Sequence, residues 1–433
     1  MKKVAFHTLG CKVNQYETEA MEELFEKANY SIVRDEEFAH IYVINTCTVT
    51  NLSDRKSRQF IRRVRRINKD ATIAVVGCYS QISPEEISKI EGVDVILGTS
   101  QRNRIVELCE EAEKKNRQIN IVESARSYQE FEEISVEDIK SKTRAYIKIQ
   151  DGCNQYCSYC IIPFARGPIR SRRLEDTMVE IEKLADSGFK EIVLTGIHVA
   201  SYGKDLGDIN LDQAIKKIST IAGIERIRLS SVEPNIVDDE FMTTIVETGK
   251  ACDHFHLSLQ SGSDKILRRM NRKYTCNSFK EKVELIRKYM PDAGITTDII
   301  VGFPGETDKD FEETLDFVKD IGFSRIHVFK YSPREGTAAA RFKEQVNGKV
   351  KNERSRILIH LADQLSREFN SRFINSHMEV LYEVEDENNP GVFEGYTSNY
   401  IRVKTKSDED LVGQILRTQI VDSKGDILIG KLI

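Results

Sequence analysis

Between Arg144 and Tyr331 the sequence alternates six times between a short apolar run and a helical stretch. The runs are RAYIKIQ, EIVLTGI, RIRLSSV, HFHLSLQ, ITTDIIVGF and RIHVFKY. The stretches between them include LEDTMVEIEKLADSG, LDQAIKKISTI, SFKEKVELIRKYM and DFEETLDFVKDIG, with apolar residues at helical spacing. Strands that alternate with helices pair in parallel through right-handed crossovers. Six such units make three quarters of an eightfold β/α barrel, and in such barrels the chemistry sits at the C-terminal ends of the strands.

The first hundred residues repeat a smaller arrangement three times. VAFHTLGC, IYVINTC and TIAVVGC are each an apolar strand that ends at a cysteine (Cys11, Cys47, Cys78), with a helical pattern behind it. The second of these helices begins at about Ser53. The third begins near Ser83, with Pro84 in its first turn. This predicts a small parallel sheet whose strand tips carry all three cysteines on the edge where ligands bind. Cysteine also packs as a small hydrophobe. On that basis Cys109, in a helical stretch, Cys252, before a strand, and Cys276 are assigned to packing.

The chain has 433 residues, nine cysteines and a formal net charge of −5. An odd cysteine count without an export signal argues against a disulfide framework. Lys2 and Lys3 could open a signal peptide, but the apolar stretch after them stops at His7. No run of about eighteen apolar residues predicts a membrane span. A cytoplasmic protein is expected.

A second cysteine set, Cys153, Cys157 and Cys160, follows the first barrel strand as C-x3-C-x2-C. Zinc takes four ligands, and no fourth Cys or His lies close by. A thioredoxin-type pair would leave Cys153 unexplained. Three thiolates suit a 4Fe–4S cluster with one open iron, which can hold a small molecule as well as pass electrons.

C-x3-C-x2-C after the first strand of a β/α repeat, with Tyr159 before the last cysteine, resembles the radical S-adenosylmethionine signature. With the three dispersed N-terminal cysteines, the whole chain resembles the methylthiotransferase branch of that family. LGCKVNQYETE and CIIPFARGPIRSR are most similar to the enzymes acting on threonylcarbamoyl-adenosine beside the tRNA anticodon. The resemblance implies two 4Fe–4S clusters, one on Cys153, Cys157 and Cys160 and one on Cys11, Cys47 and Cys78. It implies S-adenosylmethionine as cofactor, a 5′-deoxyadenosyl radical that abstracts hydrogen from a C–H bond, and a carbon left bearing S–CH3. Tyr159, Thr195, Gly196, Gln260, Ser261, Asp298, Gly302, Pro304 and Gly305 are expected around S-adenosylmethionine. A small flavodoxin- or ferredoxin-type electron donor is expected as partner. Two relatives share all six cysteines: the branch acting on isopentenyl-adenosine and the branch acting on a ribosomal aspartate. A non-catalytic RNA-binding electron-transfer protein would want a fourth thiolate for each cluster. A zinc-stabilised RNA-binding module would be colourless and would not turn over.

Two basic stretches flank the proposed clusters. Arg55, Arg58, Arg62, either Arg65 or Arg66, and Lys69 fall on one face of the helix after Cys47, and Arg166, Arg170 and Arg172 follow Cys160. Both are expected to contact RNA phosphates, and the latter three are candidates for the carboxylate of threonylcarbamoyl. Residues from about 115 to 142 read as a charged linker. The last segment alternates in the strand manner and resembles a TRAM module, with Arg402, Lys404 and Lys406 near Tyr396 and Tyr400 suited to RNA. The overall expectation is an α/β chain in three parts. Residues 1–118 form a small parallel-sheet domain, 139–370 a partial (β/α)6 TIM-type barrel, and 371–433 a small antiparallel β-barrel.

Overall fold

A computed structural model describes residues 1–136 and 143–433. The end of the expected linker lies outside the described residues.

The N-terminal sheet holds β1 (Lys3–Thr8), β2 (Ser31–Val33), β3 (Ile41–Thr46), β4 (Thr72–Gly77), β5 (Val95–Ile96) and β6 (Ile119–Asn120). Their order is β2-β1-β3-β4-β5-β6, and every pairing is parallel. β3 and β4 are buried at every position, as parallel strands covered on both faces must be. One face packs against α1 (Lys12–Lys27) and α5 (Ile105–Lys115) through Met21, Phe25, Ile105 and Leu108. The other packs against α2 (Asn51–Ile67) and α4 (Pro84–Ser88), through Phe60, Ile61, Val64 and Ile87. The helix expected near Ser83 is α4, with Ser83 as its cap and Pro84 in its first turn; a short α3 (Cys78–Ile82), which the sequence pattern did not show, precedes it at the cysteine itself.

The segment after Lys115 is tied down. It adds β6 to the sheet and then sends Ile134 and Val136 into the barrel core. Its acidic residues are used internally: Glu132 pairs with Arg102 and Glu133 with Arg172.

The central region contains β7 (Arg144–Asp151), α6 (Ile162–Arg166), β8 (Arg170–Ser171), α7 (Leu174–Asp186), β9 (Glu191–Gly196), α8 (Leu211–Ile218), β10 (Arg226–Leu229), β11 (Ser231–Val232), α9 (Asp239–Glu247), β12 (His254–Leu257), α10 (Asp264–Arg269), α11 (Cys276–Tyr289), β13 (Gly294–Val301), α12 (Asp308–Ile321) and β14 (Arg325–Lys330). The sheets β10-β9-β7-β8 and β11-β12-β13-β14 are joined by a parallel bridge between Ile227 and Ala251. The predicted sixfold alternation is therefore present, with its third strand interrupted at Ser230. α13 (Gly348–Ser371) packs along β14. α1 of the N-terminal layer packs beside β7 and β9.

The C-terminal strands β15 (His377–Glu385), β16 (Val392–Thr397), β17 (Arg402–Lys406), β18 (Ile415–Lys424) and β19 (Ile427–Leu432) close as a barrel in the order β15-β16-β17-β19-β18. It is mostly antiparallel, but β17 and β19 pair in parallel. This small barrel docks on the N-terminal ends of the large barrel's strands. Arg226 Nη1 donates to Tyr396 O at 3.2 Å, Arg228 Nη1 to Ser398 O at 2.8 Å, and Asn399 Nδ2 to Asp292 O at 3.0 Å. One mouth of the large barrel is thus covered, and the cysteines lie at the other. Among the described residues no helix is long and apolar enough to cross a membrane.

Candidate active site between two cysteine triplets

The tips of β1, β3 and β4 are neighbours, so the sheet brings Cys11, Cys47 and Cys78 together. Gly10, at φ 126°, sits over Cys47; a Cβ there would stand 3.1 Å from Cys47 Cβ and 2.9 Å from Asn14 Nδ2. Only glycine relieves both the crowding and the backbone conformation. Asn14 ties the two tips by donating Nδ2 to Leu9 O at 2.8 Å and to Thr46 O at 3.0 Å. Cys11 is exposed, whereas Cys47 and Cys78 are buried. Burial pushes the Cys78 thiol up to about 12, against the pull of the Arg166 guanidinium, whose Nε donates to Cys78 Sγ at 3.2 Å.

The second triplet is local. Gly152, at φ 73°, turns the chain off β7 where a Cβ would meet Pro168 O at 1.8 Å, and Cys153 N then donates to Gly167 O at 3.0 Å. Cys157 and Cys160 complete the loop. Arg272 Nη1 donates to Cys157 Sγ at 3.3 Å, and Gln155 N to Cys153 Sγ at 3.4 Å. Glu233 organises this side: it lies 3.3 Å from Arg272, accepts from Gln155 Nε2 at 2.8 Å, and is 3.0 Å from His198 Nε2. Burial raises the Cys153 thiol to about 11 and Cys160 to about 12.

Each triplet therefore offers three sulfurs that interact with one another and are met by a cationic donor. Burial raises the Cys78, Cys153 and Cys160 thiols, and a bound metal ion supplies the charge that turns such thiols into thiolates. The donor sets fit an iron–sulfur cluster with three protein ligands.

The triplets are joined by α6, which packs on α3. Arg166, at its end, is fully buried. It pairs with Glu17 and with Asp151 (3.4 Å), and donates Nη2 to Asn14 Oδ1 at 2.7 Å. Lys148 reaches Glu17 at 2.8 Å and Asp151 at 2.7 Å. These cations hold Glu17 down at about 2 despite its burial, and Asp151 lower still. The network runs from Cys78 to within two residues of Cys153.

Arg166, Arg170 and Arg172 thus do not face RNA. Arg170 Nη1 donates to Arg166 O and Pro168 O, and Arg172 pairs with Glu180 and Glu133. Their charges are spent inside the molecule, so they are not available to a phosphate or to a substrate carboxylate. On α2, Arg65 caps the helix end by donating to Lys69 O, Ala71 O and Gly92 O, and Arg58 binds Tyr79 Oη and Glu86. Arg55, Arg62 and Arg66 remain exposed. In the C-terminal barrel Arg402 pairs with Glu394 and Asp426, and Lys404 with Asp386 at 2.6 Å. Tyr396 and Tyr400 stack on each other and on Arg144 of the large barrel, so they serve domain docking instead of base stacking.

The expected cofactor residues divide. Thr195 and Gly196 end β9, while Gln260, in the left-handed region at φ 70°, and Ser261 are buried beyond β12. Tyr159 packs edge-on to Phe303. Asp298 lies on β13, 3.4 Å from His256 Nε2. The GFPGET turn is held by protein groups: Gly302 N donates to Glu306, Gly305 N to Glu344 O, and Pro304 O accepts from Arg269. Cβ atoms at Gly302 and Gly305 would strike Lys351 and Arg269. The glycines serve the turn, and their N–H groups are taken by Glu306 and Glu344. Arg272, His198 and Lys12 were not singled out from the sequence. Each is a lone residue in a loop or at a helix start, and only the fold shows what it faces.

The Radical SAM superfamily matches residues 147–318, and a family described as Uncharacterized protein family UPF0004 matches residues 3–98. The Threonylcarbamoyladenosine tRNA methylthiotransferase MtaB of Bacillus subtilis is 45% identical over 97% of this chain and 94% of its own length. Its namesake from Thermotoga maritima is 40% identical over 98% and 99%. A tRNA-2-methylthio-N(6)-dimethylallyladenosine synthase of Alkaliphilus oremlandii is 35% identical over 100% and 93%. In fold, the chain is similar to a radical S-adenosylmethionine methyltransferase, TsrM, from Kitasatospora setae, with a TM-score of 0.56 and 16% identity over 78% of this chain and 77% of that one. Site and sequence thus define a radical S-adenosylmethionine enzyme, for which a 4Fe–4S cluster and S-adenosylmethionine are the cofactors. The chain belongs to the tRNA methylthiotransferase family.

Proposed function

We propose that this enzyme places a methylthio group on carbon two of threonylcarbamoyl-adenosine next to the anticodon of tRNA. The observation that carries the reading is the pair of three-thiol sets, one directly before α6 and the other including Cys78 at the start of α3, which packs on α6. Cys153, Cys157 and Cys160 hold the cluster at the barrel mouth, and Cys11, Cys47 and Cys78 hold a second 4Fe–4S cluster. The clusters, when bound, supply the electron that cleaves S-adenosylmethionine and a site for the sulfur to be inserted. The chain's own residues do the rest. Arg272 and Arg166 each donate to one sulfur, Glu233 and His198 fix the approach to the barrel loop, and the buried Glu17–Arg166–Asp151 network fixes one triplet relative to the other. Tyr159, Thr195, Gly196, Gln260 and Ser261 contact S-adenosylmethionine from the strand ends.

The substrate choice is supported by the 45% and 40% identity to enzymes named for threonylcarbamoyladenosine, against 35% for the one named for dimethylallyladenosine. The proposed division of the chain is 1–118, 139–370 and 371–433. Cytoplasmic location and a small flavodoxin- or ferredoxin-type electron donor complete the reading. Nucleoside mass spectrometry on tRNA from cells with and without the gene tests it. Loss of the methylthio form of threonylcarbamoyl-adenosine alone is expected. Loss of methylthio-isopentenyl-adenosine instead would overturn the substrate assignment.

A further inference from the structure

Lys12 is the first residue of α1 and follows Cys11 directly. Its side chain does not stay with the N-terminal sheet. The amine stands 6.0 Å from the centre of the Tyr146 ring on β7, and its electrostatic neighbours are Tyr400, Arg144, Arg228 and Glu191. Its charge also acts on His254 and His327. These residues belong to the strands of the large barrel and to the small barrel beneath it, so Lys12 points from the N-terminal cysteine site into the barrel interior.

The nearby arginines are already paired. Arg228 Nε is 2.7 Å from Glu191, and Arg144 Nε is 2.5 Å from Glu383. Among the described residues Lys12 makes no side-chain hydrogen bond or ion pair; the Tyr146 ring is its one polar contact. This partly buried amine is left able to pair with an anion that enters the site.

The same interior holds a second unsatisfied group. His256 Nε2 is buried without a hydrogen bond, 3.4 Å from Asp298, and His327 completes a cluster whose ligand atoms lie within 4.8 Å of one another. A divalent cation there would lie in the field of Lys12, Arg144 and Arg228. That field favours an organic anion whose carboxylate meets the amine and whose hydroxyl or urea groups meet His256 and Asp298.

We propose that Lys12 is the specificity residue that pairs with the carboxylate of the threonylcarbamoyl group, with His256 and Asp298 binding its polar body. This rests on the substrate reading above. It also replaces Arg166, Arg170 and Arg172, whose guanidiniums are committed elsewhere.

Anaerobic binding of anticodon stem-loop RNA to the cluster-loaded protein tests the pairing. Three hairpins are compared, carrying threonylcarbamoyl-adenosine, the same group with its carboxylate converted to the amide, and plain adenosine. Wild-type protein should prefer the acid over the amide by about ten-fold. Lys12→Met should remove that preference while leaving affinity for the plain hairpin and the iron content unchanged, and Lys12→Arg should restore most of it. An acid-over-amide preference that survives in Lys12→Met overturns the proposal. A wild-type protein that does not distinguish threonylcarbamoyl from plain adenosine overturns the substrate reading itself.

Discussion

The barrel triplet comes from a single loop, Cys153 to Cys160, while the N-terminal triplet is gathered from the tips of three strands, and only a correctly folded sheet brings it together. Their electrostatic surroundings differ in the same sense. Arg272, beside Cys157, is held by one carboxylate, Glu233. Arg166, beside Cys78, is fully buried and shares Glu17 and Asp151 with Lys148 and other cations. The local triplet can form as soon as its loop turns. The dispersed one depends on the interface between the N-terminal layer and the barrel, so the proposed second cluster would couple to stability there, whereas the loop site would be largely separate from it.

The largest expected effect follows from that difference. Arg166→Met removes a buried guanidinium that ties Glu17, Asp151, Asn14 and Cys78 together; Lys148 still faces both carboxylates, so the cost is about 3 kcal/mol. Arg272→Met exposes one carboxylate that His198 still faces. Thermal unfolding of the two variants should show a clearly larger loss for Arg166→Met, together with loss of iron from the N-terminal site. Equal losses would mean that the interface network does not set the contrast.

A smaller effect is expected with pH. Glu17 is held at about 2 in the fold, below its ordinary value of 4.5. A depressed carboxylate contributes stability that is complete above the unfolded value and is lost as pH falls through the folded one. Cluster-free protein, which avoids acid release of iron, should therefore lose stability from about pH 4.5 downward. Glu17→Gln should start less stable and show a shallower loss across that window in urea titrations. A parallel pair of curves would remove Glu17 from the account.

The smallest effect concerns the two ends of α2, which are about 25 Å apart. Arg55, exposed at the cysteine end, should matter to tRNA more than Arg66, exposed at the far end. Arg55→Glu should weaken tRNA binding and reduce the slope of log affinity against log salt by about one. Arg66→Glu should change both less. The reverse order would place the RNA path along the other end of the sheet.

The sixfold alternation, the three strand tips and both cysteine sets were legible because hydrophobic period and cysteine position carry them directly. The parallel β17–β19 pairing and the extra short helix α3 at Cys78 were not, because neighbouring strands and tertiary packing decide them. The basic residues misled for a related reason. A guanidinium looks the same in sequence whether it faces solvent, as Arg62 does, or neutralises buried carboxylates, as Arg166 does. Lys12 shows the converse: a single lysine after a cysteine gives no signal until the barrel interior appears beside it.

Division of labour between the triplets is the central claim, and one anaerobic assay addresses it. Protein with Cys11, Cys47 and Cys78 all changed to Ala is given dithionite, S-adenosylmethionine and tRNA bearing threonylcarbamoyl-adenosine. It should keep about half of the iron, still produce 5′-deoxyadenosine, and form no methylthio nucleoside. If 5′-deoxyadenosine disappears while the barrel cluster is retained, the N-terminal triplet takes part in the cleavage step itself and the claim is contradicted.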